Sequence, residues 1–250
     1  MTRSLYLIDG LNQMFRAYYA PFRELTSASG EPTKAVFVFL RMLMQLVRER
    51  EPRYLALVME GGGPDFRREA YPAYKAHRKE MPDDLRSQVR RIRELVAALG
   101  IPVLHAPGFE ADDLMATIVR AVRDEPGLEV VMVSSDKDLR QLLREDEVCL
   151  YDPRKGLMLD AFGLEDEYGY TPAQSLEIQT LAGDATDNIP GVCGVGEKTA
   201  VKLVRKYGSA AAVVSHADDL TPKQCQNVLA FAQQMPLTRR LVALRDDAPT

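Results

Sequence analysis

No run of about 18 apolar residues occurs anywhere in this 250-residue chain, which excludes a membrane-crossing helix. The N-terminal apolar stretch is short and ends at Asp9. It lacks the longer core and small-residue cleavage site of a secretory signal. Cysteine is scarce: Cys149, Cys193 and Cys225 stand far apart and show no metal-ligand spacing. That excludes a disulfide scaffold, fits a reducing compartment and leads us to expect a cytoplasmic protein. His77, His105 and His216 are isolated, and no Gly-x-Ser-x-Gly or P-loop pattern occurs. Excess positive charge is missing too, the net charge being −4.

What the chain does have is 46% hydrophobic residues, enough to bury a sizeable core in one large domain or two smaller ones. Leu5 to Ile8, Tyr54 to Met59 and Val130 to Val133 read as buried strands. Ile101 to Leu104 is a weaker fourth and Val148 to Tyr151 a fifth. Lys34 to Arg50, Asp84 to Leu99 and Ala111 to Arg123 carry helical periodicity. The alternation implies an α/β fold, a twisted and mostly parallel sheet with helices on both faces. From about Thr171 the pattern is helical, broken by Gly-rich and Pro-rich turns. The expected division is a core over 1–166 and a helical region over 167–250.

The chemistry is expected where the apolar runs stop. Each of the three strong runs is followed by acid: Asp9-Gly10, Glu60-Gly61, and Asp136-Lys137-Asp138. In an open parallel sheet the functional crevice lies at the carboxyl ends of the strands. Glu110, Asp112 and Asp113 open a helix, and Asp184 and Asp187 stand three apart in a turn. A lone Asp-Gly is ordinarily only a turn, and acids opening a helix are ordinarily caps. Repetition at successive strand ends is what favours a site. Carboxylates crowded together resist joint ionisation unless a counter-ion joins them. Hard oxygen donors suit Mg²⁺ or Mn²⁺, and two such ions about 3.5–4 Å apart can clamp the oxygens of a phosphodiester hydrolysis. Removing those nine acids from the net charge of −4 leaves +5, and Arg67 to Arg93 alone carries nine Lys or Arg against four acids. A basic surface around an acidic pocket suits nucleic acid.

The ordered motifs Glu110-Ala-Asp-Asp, Ser135-Asp-Lys-Asp-Leu139, Gly183-Asp-Ala-Thr-Asp-Asn-Ile-Pro-Gly-Val192 and Gly194-Val-Gly-Glu-Lys-Thr-Ala200, with Phe66-Arg67, Tyr71-Pro-Ala-Tyr-Lys75 and Arg78, resemble the bacterial 5′–3′ exonuclease and flap endonuclease family. That family includes the N-terminal nuclease domain of DNA polymerase I. The likeness runs from Asp9 to about Tyr207. It implies a nuclease core, a helical arch over about 67–93, and a helix–three-turn–helix DNA-binding region. It also implies two-metal cleavage of branched, flapped or gapped duplex DNA with a 5′ end, in replication and repair.

Carried over by position, the metal pocket is Asp9, Glu60, Glu110, Asp112, Asp113, Asp136, Asp138, Asp184 and Asp187. Lys75 and Arg78 match the arch residues that meet the scissile phosphate, sharing one helix face, and Tyr74 is placed to stack on an unpaired base. Arg67 is expected at the DNA. Gly191, Gly194 and Gly196, with Lys198, Thr199 and Lys202, form the expected duplex-backbone contact, in some members with a bound K⁺. A monomer is expected, either a stand-alone nuclease or one excised from a chain with a polymerase region. One residue departs from the family pattern: Glu60 stands where the acid is usually Asp. The longer side chain leaves a junction-binding protein with weakened chemistry as the alternative.

Overall fold

The computed structural model describes residues 3–249. Its six strands are β1 (Arg3–Asp9), β2 (Tyr54–Val58), β3 (Val103–Leu104), β4 (Leu128–Val133), β5 (Val148–Asp152) and β6 (Leu157–Leu159). They form one sheet in the order β3-β2-β1-β4-β5-β6. All pairs are parallel except β5 with β6, so the expected mostly parallel sheet is observed.

The helices before the third strand are α1 (Gly10–Tyr18), α2 (Lys34–Arg50), α3 (Phe66–Ala70) and α4 (Asp83–Ala98). Then come α5 (Ala111–Val122) and α6 (Ala161–Tyr168). The rest is helical: α7 (Pro172–Ala182), α8 (Glu197–Tyr207), α9 (Ala210–Ser215), α10 (Pro222–Phe231) and α11 (Met235–Val242). Among the described residues no helix is long and apolar enough to cross a membrane.

The unbroken apolar runs form central strands because both faces of the sheet are covered. Along β1, Tyr6 and Ile8 face the α1, α2 and α4 layer, whereas Leu7 faces α5 and the C-terminal helices. Leu7, Ile8, Leu57, Met132 and Val133 are each at most 1% exposed. Each such side chain contributes roughly 1.5–3 kcal/mol of apolar transfer, before the entropy of ordering it. The cluster on the α5 side continues through Leu164, Tyr170, Ile178 and Leu181 to Val204, Val228 and Ala248. Core and helical region thus share one hydrophobic interior.

Two expected boundaries shift. Asp166 lies inside α6, which runs to Tyr168 and is closed by Gly169 at φ 77°. The expected arch is helical only in part. Residues 71–78 form successive turns, and α4 packs on the core through Leu85, Ile92 and Val96. Gln88 Oε1 fixes the start of α2 by accepting from the backbone N–H of Ala35 at 2.7 Å. The stretch between α3 and α4 is tied to the helical region, where Asn188 Nδ2 donates to Ala73 O at 2.8 Å.

Candidate active site

Strand order reverses between β1 and β4, and there the chain leaving each strand parts to opposite sides. Asp9 is the last residue of β1, Glu60 lies two residues past β2, and Ser134 to Asp138 follow β4. Asp9 caps α1, its Oδ1 accepting from Asn12 N–H at 3.3 Å, while the Ser134 hydroxyl donates to Oδ2 at 2.7 Å. At 8% exposure, burial pushes its pKa up to about 6, with nearby Asp136 adding to the rise. Burial and Glu110 likewise lift Glu60 to about 7, although Glu60 presents surface to solvent. Accessible surface and raised pKa agree if the carboxyl lies on the floor of an open cleft, reached by water yet walled by protein.

Two loops approach closely beside Glu60. A Cβ on Gly61 would stand 1.6 Å from the Ala106 carbonyl oxygen. Glycine there lets Gly61 N–H reach Phe109 O at 3.0 Å, which brings Glu60 beside the segment entering α5. Glu110 precedes α5 but does not cap it with its side chain. Its Oε1 instead pairs with the Lys75 ammonium, and its Oε2 accepts from the Tyr74 hydroxyl at 3.0 Å. Burial works against its ionisation, but Lys75 and Arg67 outweigh it and hold the pKa below the usual value. Asp112 lies beside this pair, where burial and Asp113 raise its pKa well above the ordinary range.

Asp138 accepts from Gln179 Nε2 at 2.6 Å, and burial with Asp136 lifts it to about 7. Asp136 turns Oδ1 toward the backbone N–H of Asp138 at 3.0 Å. From the helical region, Asp184 pairs with Lys137 at 2.9 Å and Asp187 with Arg78 at 2.6 Å. Burial alone would raise Asp184, but Lys137 reverses the sign and its pKa is lowered. Lys75 is also tied to this turn, since its backbone N–H donates to Asp187 O at 2.9 Å.

Several assignments change in the structure. Lys75 sits in a turn at φ 54°, so it does not share a helix face with Arg78. Both still face the acids, Lys75 through Glu110 and Arg78 through Asp187. Tyr74 is 4% exposed and spends its hydroxyl on Glu110, which leaves no face for a base to stack on. Arg67 is 2% exposed and grips Asp113 with two hydrogen bonds of 2.6 and 2.8 Å, so it is not a surface contact to DNA. Gly191 packs against the end of α7, where a Cβ would fall 2.4 Å from the Ala182 carbonyl, so it is a packing glycine.

Gly194 and Gly196 are exposed, as are Lys198 and Lys202 one turn apart on α8, while Thr199 is half-buried. Arg205 and Lys206 extend that positive face. Sequence reasoning passed over Lys137 as a partner for Asp184, Ser134 as a donor to Asp9, and Gln179 as a donor to Asp138. The first two sit inside or beside the quoted acidic motif, and that placement was the available signal.

The donor set fits hard divalent cations: carboxylate oxygens, several with pKa values raised by burial and by neighbouring acids. Among the described residues no three His, Cys, Asp or Glu close into a ready-made coordination cage.

Residues 4–169 match the family profile described as 5′-3′ exonuclease, N-terminal resolvase-like domain. Residues 170–250 match the profile described as 5′-3′ exonuclease, C-terminal SAM fold. Thermostable DNA polymerase I of Thermus thermophilus is 38% identical over 243 residues, covering 97% of this chain and 29% of the polymerase. DNA polymerase I of Mycobacterium tuberculosis is 39% identical over 251 residues, covering 98% of this chain and 28% of the polymerase. The chain therefore spans less than a third of the length of these relatives. Among solved structures, T5 5′-exonuclease with bound zinc superposes with a TM-score of 0.77 at 23% identity, covering 97% of this chain and 90% of that one. The catalytic core of Rad2 in complex with DNA substrate gives 0.63 at 14% identity, covering 100% of this chain and 81% of that one. At these identities the likeness is one of fold.

Proposed function

This chain belongs to the 5′–3′ exonuclease family, and from that premise we propose that it is a divalent-cation-dependent 5′ nuclease that cleaves DNA near the junction of a 5′ flap, gap or end. The observation that carries this reading is the gathering of acids from β1, β2, β4, α5 and the Asp184–Asp187 turn at one sheet edge, beneath the cations of the 71–78 segment.

Asp9, Glu60, Glu110, Asp112, Asp136, Asp138, Asp184 and Asp187 are the residues that would hold Mg²⁺ or Mn²⁺. Such ions, when bound, supply charge stabilisation to the attacking and leaving oxygens of phosphodiester hydrolysis. The protein's own part is positioning and charge. Lys75 and Arg78 stand at the mouth of the acidic cleft, where an ammonium and a guanidinium can donate to a non-bridging phosphate oxygen. To do so each must exchange a carboxylate for the phosphate. Glu110 and Asp187 thus hold both cations in readiness at the acidic cluster.

Gly194 to Lys202 supports a duplex-backbone contact: exposed Gly194 and Gly196 lead into α8, and Lys198 and Lys202 follow on one face. Backbone contacts carry no base sequence, which suits selection by DNA structure. The same reading puts K⁺ at the Gly191–Gly196 loop, and a monovalent-cation titration of duplex affinity tests it. Single-turnover assays on a 5′-flap DNA, a blunt duplex and single-stranded RNA test the substrate. The flap should be cut fastest, and preferred cleavage of the RNA would overturn the proposal.

A further inference from the structure

Asp113 occupies the third acidic position of the Glu110-Ala-Asp-Asp motif, yet its surroundings are not those of a ligand. It is 0% exposed, and both oxygens are taken. Oδ2 accepts from Arg67 Nη1 at 2.6 Å; Oδ1 accepts from Arg67 Nη2 at 2.8 Å and from the backbone N–H of Arg245 at 2.8 Å. A carboxylate offers about four lone-pair sites, and these hydrogen bonds occupy three of them, two in a bidentate fork to Arg67.

The guanidinium is also committed on its other side. Arg67 Nε donates to Leu241 O at 2.9 Å and Nη2 to Ala243 O at 3.1 Å. Its Nη1 stands 3.5 Å from Glu110 Oε2. The segment after α11 is held nearby by Ala248 N–H to Thr117 Oγ1 at 3.0 Å and Gln141 Nε2 to Val242 O at 2.9 Å. Three separate parts of the chain, α3, the start of α5 and residues 241–245, therefore meet at one buried ion pair.

We infer that Asp113 is a positioning residue and not a metal ligand: with Arg67 it forms a buried latch that ties the C-terminal segment to the first turn of α5 and so fixes where Glu110 and Asp112 point. The inference rests on the nuclease reading for its catalytic consequence, but the latch itself does not. Breaking a buried pair from one side strands a charge, whereas removing both partners strands none.

The test is a double-mutant cycle in the full chain, with Arg67→Met, Asp113→Leu and the pair together, and Asp113→Asn as a conservative variant. Melting temperature, Mn²⁺ binding by calorimetry, flap affinity and single-turnover rate are measured for each. Each single change should lower the melting temperature by roughly 10 °C, and the double should recover about half of that loss or more. Asp113→Asn should slow the single-turnover step about tenfold, with flap affinity within about threefold of the parent. A folded double variant beside singles that fail to fold supports the latch in the same way. Additive melting-temperature losses, or an Asp113→Asn chain that melts in EDTA no lower than the parent, overturn it. A parent chain that cleaves no flap instead counts against the nuclease reading, and the melting-temperature cycle still decides the latch.

Discussion

Protons and divalent cations should compete for the same carboxylates, and the pH dependence of stability reads that competition without any DNA. Asp9 supplies the cleanest magnitude because it is 8% exposed and its pKa rises from 3.8 to about 6. The folded state therefore holds a proton that the unfolded state has released. Below the unfolded value both forms are protonated and nothing is lost. As pH climbs from about 4 to about 6 the folded state loses stability, and above that the penalty is complete. A rise of about two pKa units corresponds to about 3 kcal/mol, taken as order of magnitude.

Asp138, lifted to about 7 by burial and Asp136, acts with the same sign and extends the window upward. Glu60, also raised to about 7, shares the direction but is solvent-exposed and adds less. Glu110 and Asp184 have lowered values, so their contribution is present above the ordinary carboxylate range and is lost below it, outside this window. In EDTA the melting temperature should thus fall by roughly 6–12 °C between pH 5 and pH 8. Saturating Mn²⁺ should remove most of the fall, because a ligand of the ionised form stabilises most where protons compete least. Asp9→Asn should flatten the EDTA slope. A melting temperature independent of pH over this range, or a slope unchanged in Asp9→Asn, refutes the electrostatic picture of the cleft.

Three further outcomes follow from the geometry. Lys75→Ala should slow single-turnover flap cleavage roughly 100-fold with duplex affinity nearly intact, and Arg78→Ala should act in the same direction, because both contacts are made to a reacting phosphate. Arg78 is half-exposed, so its loss should change stability by less than about 1 kcal/mol; a variant that loses affinity and keeps its rate misplaces the residue. Gly196→Val has open space around its Cβ, so the fold should persist while duplex binding weakens, with less salt dependence; unchanged affinity in a folded variant removes this loop from the interface. Glu60→Gln should lower both rate and metal affinity, and Glu60→Asp should lower the rate because Gly61 is pinned against Ala106 and the backbone cannot advance to make up the lost methylene. A faster Glu60→Asp enzyme contradicts that reasoning.

The central strands were legible because Leu5 to Ile8 and Val130 to Val133 are unbroken apolar runs, which only a sheet covered on both faces buries in so few residues. β6 was not legible. Leu157 and Met158 are exposed on an edge strand, and the preceding Asp152 to Gly156 turn masks it in the sequence. The α4 pattern was read correctly as a helix but placed in the arch, since periodicity reveals an apolar face and not the partner that covers it.

The acids were legible as a set through their place after apolar runs. Their individual environments were not. Asp113 and Asp112 are sequence neighbours, but only the structure separates a carboxylate locked to Arg67 from one whose pKa burial and Asp113 drive up. Nor does the sequence show that Gly61 is needed for close contact with the Ala106 carbonyl.

Cleavage of a 5′-flap DNA by the parent chain, in EDTA and then with Mg²⁺ or Mn²⁺ restored, tests the account most directly. It predicts no cleavage in the chelator and recovery near the flap junction once the cation is added. Undiminished cleavage in EDTA, or none with either cation, contradicts it.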